Sequence, residues 1–188
     1  MPDLFTMRGP TPRTLLRGVG IFACAVASLL APGCATNQAP FVPLDRRYQP
    51  PAAGEASATL AGTQRHSAVL DDYTAFVSSV DGKCVMSGRA GWNDALPIAA
   101  GAHRITIHFV QGLSEAYVKL PLQAEAGHAY KIGYLDGGGT ILGPGSYMDF
   151  WIDDLQSNQH VSPAIRSAVT VNREGTDQLC AELFRITE

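Results

Sequence analysis

The feature that most constrains this chain is an alternation of apolar and polar residues with a period of two. Between His103 and Val110, Ile105, Ile107 and Phe109 point one way, while Arg104, Thr106 and His108 point the other. From Ala116 to Ala124, Val118, Leu120 and Leu122 alternate with Tyr117, Lys119, Pro121 and Gln123 in the same manner. Each run predicts a strand with one face in a core and the other towards water. Pro121 donates no ladder hydrogen bond, so its strand is expected at a sheet edge or the proline at a bulge. Further strands are expected over Ala58–Ala61, Asp72–Val80, Cys84–Met86, Ala129–Leu135, Tyr147–Leu155 and Ile165–Val171.

Turn chemistry separates these runs. Asp81-Gly82 lies between two apolar stretches, and both residues tolerate positive φ, which is the signature of a two-residue hairpin. Gly101, Gly112, Gly127 and the run Gly137-Gly138-Gly139 punctuate the rest. Nineteen Gly and twelve Pro in 188 residues are too many for a helical bundle, and they show no triplet period. One helix is expected, a short one near Asp177–Phe184. Together these features predict a mainly β protein built as a single antiparallel β-sandwich.

The N-terminus carries a different pattern. Arg8, Arg13 and Arg17 precede an uncharged apolar run of 13 residues from Gly18 to Leu30. This matches a secretory signal and is too short for a span of about 20 residues. Leu29-Leu30-Ala31-Pro32-Gly33-Cys34 follows, and it resembles the lipobox of bacterial lipoproteins, with Ala31 and Pro32 departing from the usual residues. The resemblance implies cleavage before Cys34 and lipidation of that cysteine. The alternative is an ordinary cleavage site, for instance after Ala35, with Cys34 incidental.

The expected organisation is therefore a lipoprotein signal peptide over 1–33, an extended tether over 34–56 and a β-sandwich domain over 57–188. The tether assignment rests on the Pro-rich, aperiodic stretch from Asn37 to Ala56. Phe41, Val42, Leu44 and Tyr48 within it are possible docking residues. A lipid at Cys34 implies a membrane anchor with the folded part in the aqueous cell envelope, facing the periplasm. Ala35 in place of an Asp leans towards the outer membrane, by resemblance to Gram-negative lipoproteins.

Three segments carry a second resemblance. They are Ala-Phe-Val-Ser-Ser-Val-Asp-Gly-Lys over 75–83, Leu-Pro-Ile-Ala-Ala-Gly-Ala-His-Arg-Ile-Thr-Ile over 96–107 and Ala-Gly-His-Ala-Tyr-Lys-Ile over 126–132. Their order is similar to that of PEGA-type and related transthyretin-like small β-sandwiches of surface and periplasmic lipoproteins. The resemblance covers about a third of the chain and implies architecture without a particular chemistry. Residues 134–188 exceed a minimal unit of that kind.

Candidate chemistry is sparse. A net charge of -3 gives no field for phosphodiester backbones, so no nucleic-acid partner is expected. Cys84 and Cys180 are the cysteines that remain once Cys24 is removed and Cys34 lipidated. In an oxidising compartment they either form a disulfide or stay as two buried thiols. Among the five histidines, His103 and His108 fall on opposite faces of one strand, and no metal-ligand spacing or cofactor motif occurs.

The remaining candidate lies in the run from Tyr147 to Leu155. There Tyr147, Asp149, Trp151 and Asp153 share one face, opposite Met148, Phe150 and Ile152, with Asp154 beside them. Aromatic rings can stack on sugar rings while carboxylates beside them accept hydrogen bonds from the sugar hydroxyls; the carboxylates can also flank a Ca²⁺ ion or serve as a hydrolase's paired acids. They can also be solvated, edge-protecting charges. The overall expectation is a non-enzymatic, lipid-anchored envelope protein of structural or protein-interaction type. A glycan- or small-ligand-binding module is the alternative, and an envelope hydrolase is a third.

Overall fold

In the computed structural model, the described residues are 42–68, 71–137, 145–171 and 180. They hold twelve strands: β1 (Ser57–Ala61), β2 (Thr63–Arg65), β3 (Tyr73–Val80), β4 (Lys83–Cys84), β5 (Leu96–Ala99), β6 (Gly101–Gln111), β7 (Ser114–Ala124), β8 (Ala129–Asp136), β9 (Tyr147–Asp154), β10 (Gln159–His160), β11 (Ile165–Ala168) and β12 (Thr170–Val171). Short 3₁₀ turns occur at Leu44–Arg46 and Gly88–Gly91. The helix expected near Asp177–Phe184 lies outside the described residues apart from Cys180. So do residues 1–33, the expected signal peptide, Cys34, the expected lipidation site, and Phe41 of the expected tether.

Two sheets pack face to face as a β-sandwich. The first runs β10-β9-β8-β1-β5, with β11 also on β9; the second runs β12-β7-β6-β3-β2, with β4 also on β3. Pairing is antiparallel throughout except between β1 and β8, where Thr59, Leu60 and Ala61 run parallel to Ala129, Tyr130 and Lys131. The backbone of the second sheet is the β6–β7 hairpin, with continuous register from Gly101 opposite Ala124 to Gln111 opposite Ser114. Asp81 and Gly82 take φ of +52° and +77°, and they turn β3 into β4 as the dipeptide predicts. Pro121 sits opposite Arg104 of β6. The far edge of β7 meets β12 only at Ser114 and Glu115 among the described residues, so the proline occupies an edge.

The core follows from the alternation. Ile105, Ile107 and Phe109 of β6 and Leu120 and Leu122 of β7 are buried against Leu60, Ile98, Ile132, Met148, Phe150 and Ile152 of the opposing sheet. Phe109 meets Phe150 and Tyr134 edge-on across the layers, with ring centroids 6.1 and 5.4 Å apart.

All eight residues of β3 are buried, unlike the half-buried pattern of β7. A bulge between Val77 and Ser79 contributes, because it puts Ser78 and Ser79 next to Thr106 on the outer face while Val77 and Val80 reach the core. Cys84 and Cys180 are joined by a disulfide that closes 96 residues of chain, with Cys180 Sγ also against the Ser78 carbonyl.

Polar clasps tie the sheets together at both ends of β6. At one end, Arg65 of β2 pairs with Asp136 of β8 at 2.6 Å and lies over the Tyr73 ring at 4.4 Å. Tyr134 donates its hydroxyl to the Tyr73 carbonyl beside it, and burial pushes its phenol up to about 12. At the other end, His103 reaches Asp81 Oδ2 with Nδ1 and the Ala99 carbonyl with Nε2, both at 2.8 Å.

Part of the stretch expected as tether is docked on this body. Val42 is buried, Tyr48 packs against the core and donates its hydroxyl to the Pro97 carbonyl, and its N–H meets the Cys84 carbonyl. Apolar side chains in an otherwise extended, Pro-rich segment have found their own domain, whereas Leu44 stays exposed.

Candidate functional site

The strict burial alternation of β9 places Tyr147, Asp149, Trp151 and Asp153 on the outer face of the first sheet and Met148, Phe150 and Ile152 in the core. Asp154, counted with the acids in the sequence, is buried away from this face. It accepts hydrogen bonds from His128, Ser157 and the Gln156 N–H, so it organises the turn that follows β9.

Each member of the outer face is held by a neighbour that the linear sequence does not put beside it. Arg166 of β11 stands opposite Asp149 and forms a bidentate pair with it, both contacts at 2.9 Å, while its guanidinium lies 3.7 Å from the centre of the Tyr147 ring. The Arg166 fork holds the Asp149 carboxyl below the usual carboxylate range. Trp151 donates its indole N–H to Asp153 Oδ2 at 3.0 Å, and His160 of β10 meets the other oxygen of the same carboxylate.

Below the indole is Gly133 of β8. A β-carbon there would fall 2.2 Å from Trp151 Nε1, so only glycine lets the ring lie across the neighbouring strand. Leu135, opposite Asp149, is 57% exposed and continues the surface, with Lys131 opposite Asp153 at its other end.

This geometry bears on the chemistry the face can carry. Asp149 and Asp153 are four residues apart on one strand, which puts their α-carbons about 13 Å apart at the roughly 3.3 Å rise of extended chain, with Trp151 between them. Paired acids of glycoside hydrolases lie about 5–9.5 Å apart. The two carboxylates are also engaged separately, one by a guanidinium and one by an indole and an imidazole. Asp149, stabilised as the anion, is poorly suited to deliver a proton at neutral pH. What remains is a half-exposed aromatic ring in a fixed orientation, edged by oriented carboxylates.

All five histidines contact a carboxylate: His66 with Asp72, His103 with Asp81, His108 with Glu115, His128 with Asp154 and His160 with Asp153. Among the described residues no group of three or more His, Cys, Asp or Glu side chains is arranged to hold a metal ion. Nor is any helix among them long and apolar enough to cross a membrane.

Arg166, His160 and Gly133 belong to the site and were not singled out from the sequence. An Arg in a later strand carries no mark of its partner until the register is known. The one usable signal was the interior glycine of β8, which often marks close approach by another group. Comparison of the chain with protein-family models, with curated proteins and with solved structures finds no match to any of them.

Proposed function

We propose that this protein is a non-catalytic, lipid-anchored module of the cell envelope, moored through Cys34, whose β-sandwich presents the outer face of β8 and β9 to another envelope component. The observation that carries this reading is the fixed position of Trp151: its indole covers Gly133, its N–H is tied to Asp153, and exposed Leu135 lies on the same face. A preoriented aromatic group beside an exposed aliphatic one loses little entropy on contact and suits it to anchor a partner. The Cys84–Cys180 disulfide supports an oxidising compartment, and the signal-like and lipobox-like segments support export and anchoring. The PEGA-like segments agree with an architectural role.

A glycan is the second reading, favoured by the indole and the Asp153 carboxylate lying together on one open face. One pair of measurements separates the two. A photo-crosslinking residue at position 135 in intact cells is expected to give a discrete protein adduct that Trp151→Ala abolishes. Retention on isolated peptidoglycan, also lost in Trp151→Ala, identifies the glycan instead. Crosslinking and retention that are both unaffected by the substitution would remove this face from the function.

A further inference from the structure

We infer that the outer face of the second sheet carries an anion site for a phosphate-bearing ligand, independent of the β8–β9 face. A cavity of about 630 Å³ opens there, lined among others by Arg104 and Thr106 of β6, Lys119 of β7, Ser79 of β3 and Asp81 of the β3–β4 turn. That volume lies within the range of small-ligand pockets, about 300–1,000 Å³. Register sets the cluster: Thr106 is directly opposite both Ser79 and Lys119, and Arg104 is two residues along the same face of β6.

Three properties of the lining select an anion. Arg104 and Lys119 are exposed, diagonal neighbours across β6 and β7; among the described residues neither forms a salt bridge within 4 Å, although the Arg104 charge also acts on Asp81. The floor supplies a proton. Ser79 and Thr106, 6% and 5% exposed, share one hydrogen bond of 2.7 Å between their hydroxyls. Two hydroxyls bring two protons and the shared bond consumes one, so the second has no acceptor among the described residues and is available to a ligand oxygen.

The acid in the lining is already occupied. Asp81 accepts from His103 through Oδ2 and from the Arg104 N–H through Oδ1. Although burial alone would raise its carboxyl, these two donors hold it below the ordinary range. A guanidinium fork, an ammonium and a hydroxyl donor around one cavity match the several acceptor oxygens of a phosphate group better than a single-point anion.

A free phosphate ester and a phospholipid headgroup offer the same chemistry. Calorimetric titration of the full-length protein in detergent micelles, with glycerol 1-phosphate as the monoester and glycerophosphoglycerol as the diester headgroup, distinguishes the sources. Saturable binding of the monoester alone identifies a soluble ligand, and binding of the diester identifies the headgroup. In either case Arg104→Gln combined with Lys119→Gln is expected to weaken binding about tenfold or more. Thr106→Val, which keeps the shape and removes the hydroxyl, is expected to weaken it several-fold and to lower the melting temperature, since it also breaks the bond to Ser79, while the Arg104→Gln, Lys119→Gln protein melts as the wild type does. No saturable binding of either compound, or equal affinity in the Arg104→Gln, Lys119→Gln protein, overturns the site.

Discussion

Reduction of the Cys84–Cys180 bridge, or its removal as Cys84→Ser with Cys180→Ser, is expected to lower the stability of the domain by about 4–5 kcal/mol. The bond closes 96 residues, and in the chain-entropy model a loop of that size restricts the unfolded ensemble by roughly this amount. The effect is large against the usual 5–15 kcal/mol of a native domain. It should appear as a lower urea midpoint in reductant, with the circular dichroism of the folded baseline still that of a β protein. The strands that carry the core pair independently of Cys180, so the sandwich itself is expected to survive. An unchanged midpoint would mean that the bridge contributes nothing to folding.

Phe109→Ala is expected to cost about 3–5 kcal/mol, the usual loss for a large aromatic side chain removed from a packed interior. Phe109 is fully buried and lies between the layers, touching Tyr73 from its own sheet and Tyr134 and Phe150 from the other. Urea unfolding followed by tryptophan fluorescence gives the value directly. A milder loss for Phe109→Leu, which keeps much of the volume, separates packing from any general intolerance at the position. A cost below about 1 kcal/mol for the alanine would place Phe109 outside the core.

The difference between what was legible in the sequence and what was not follows from the range of the interactions. Strands β6 and β7 are eleven residues each and oppose a core on one side, so their apolar residues recur at every second position. Strand β9 is similar, and its face of Tyr147, Asp149, Trp151 and Asp153 was visible for the same reason. Strand β3 was placed by its composition and flanking turn, while its full burial leaves no period-two contrast to read, because a bulge and cover on both sides erase it.

Strands β2, β5 and β10 are two to four residues long and exist by virtue of their partners, so no local pattern announces them. The expected strand over Ile165–Val171 divides at buried Val169: β11 joins one sheet and β12 the other. Alternation alone cannot show a strand changing layers.

The site was half legible by the same logic. Residue types and their shared face were written in β9, but what those residues do depends on partners from other strands, such as Arg166 for Asp149, His160 for Asp153 and Gly133 for Trp151. Those partners turn a possible acid pair into two separately engaged carboxylates and a possible loose tryptophan into a fixed one. The cavity near Arg104 and Lys119 is further removed from the linear sequence, since three strands and a turn supply it.

The proposed function requires an exported sandwich moored by lipid at Cys34. Intact-mass analysis of the protein recovered from the producing cell's membrane fraction tests that most directly. The account predicts a chain that begins at Cys34 and carries the added mass of acyl groups, absent when Cys34→Ser is expressed. A soluble chain with no added acyl mass, whether cleaved elsewhere or retaining residues 1–33, would contradict it.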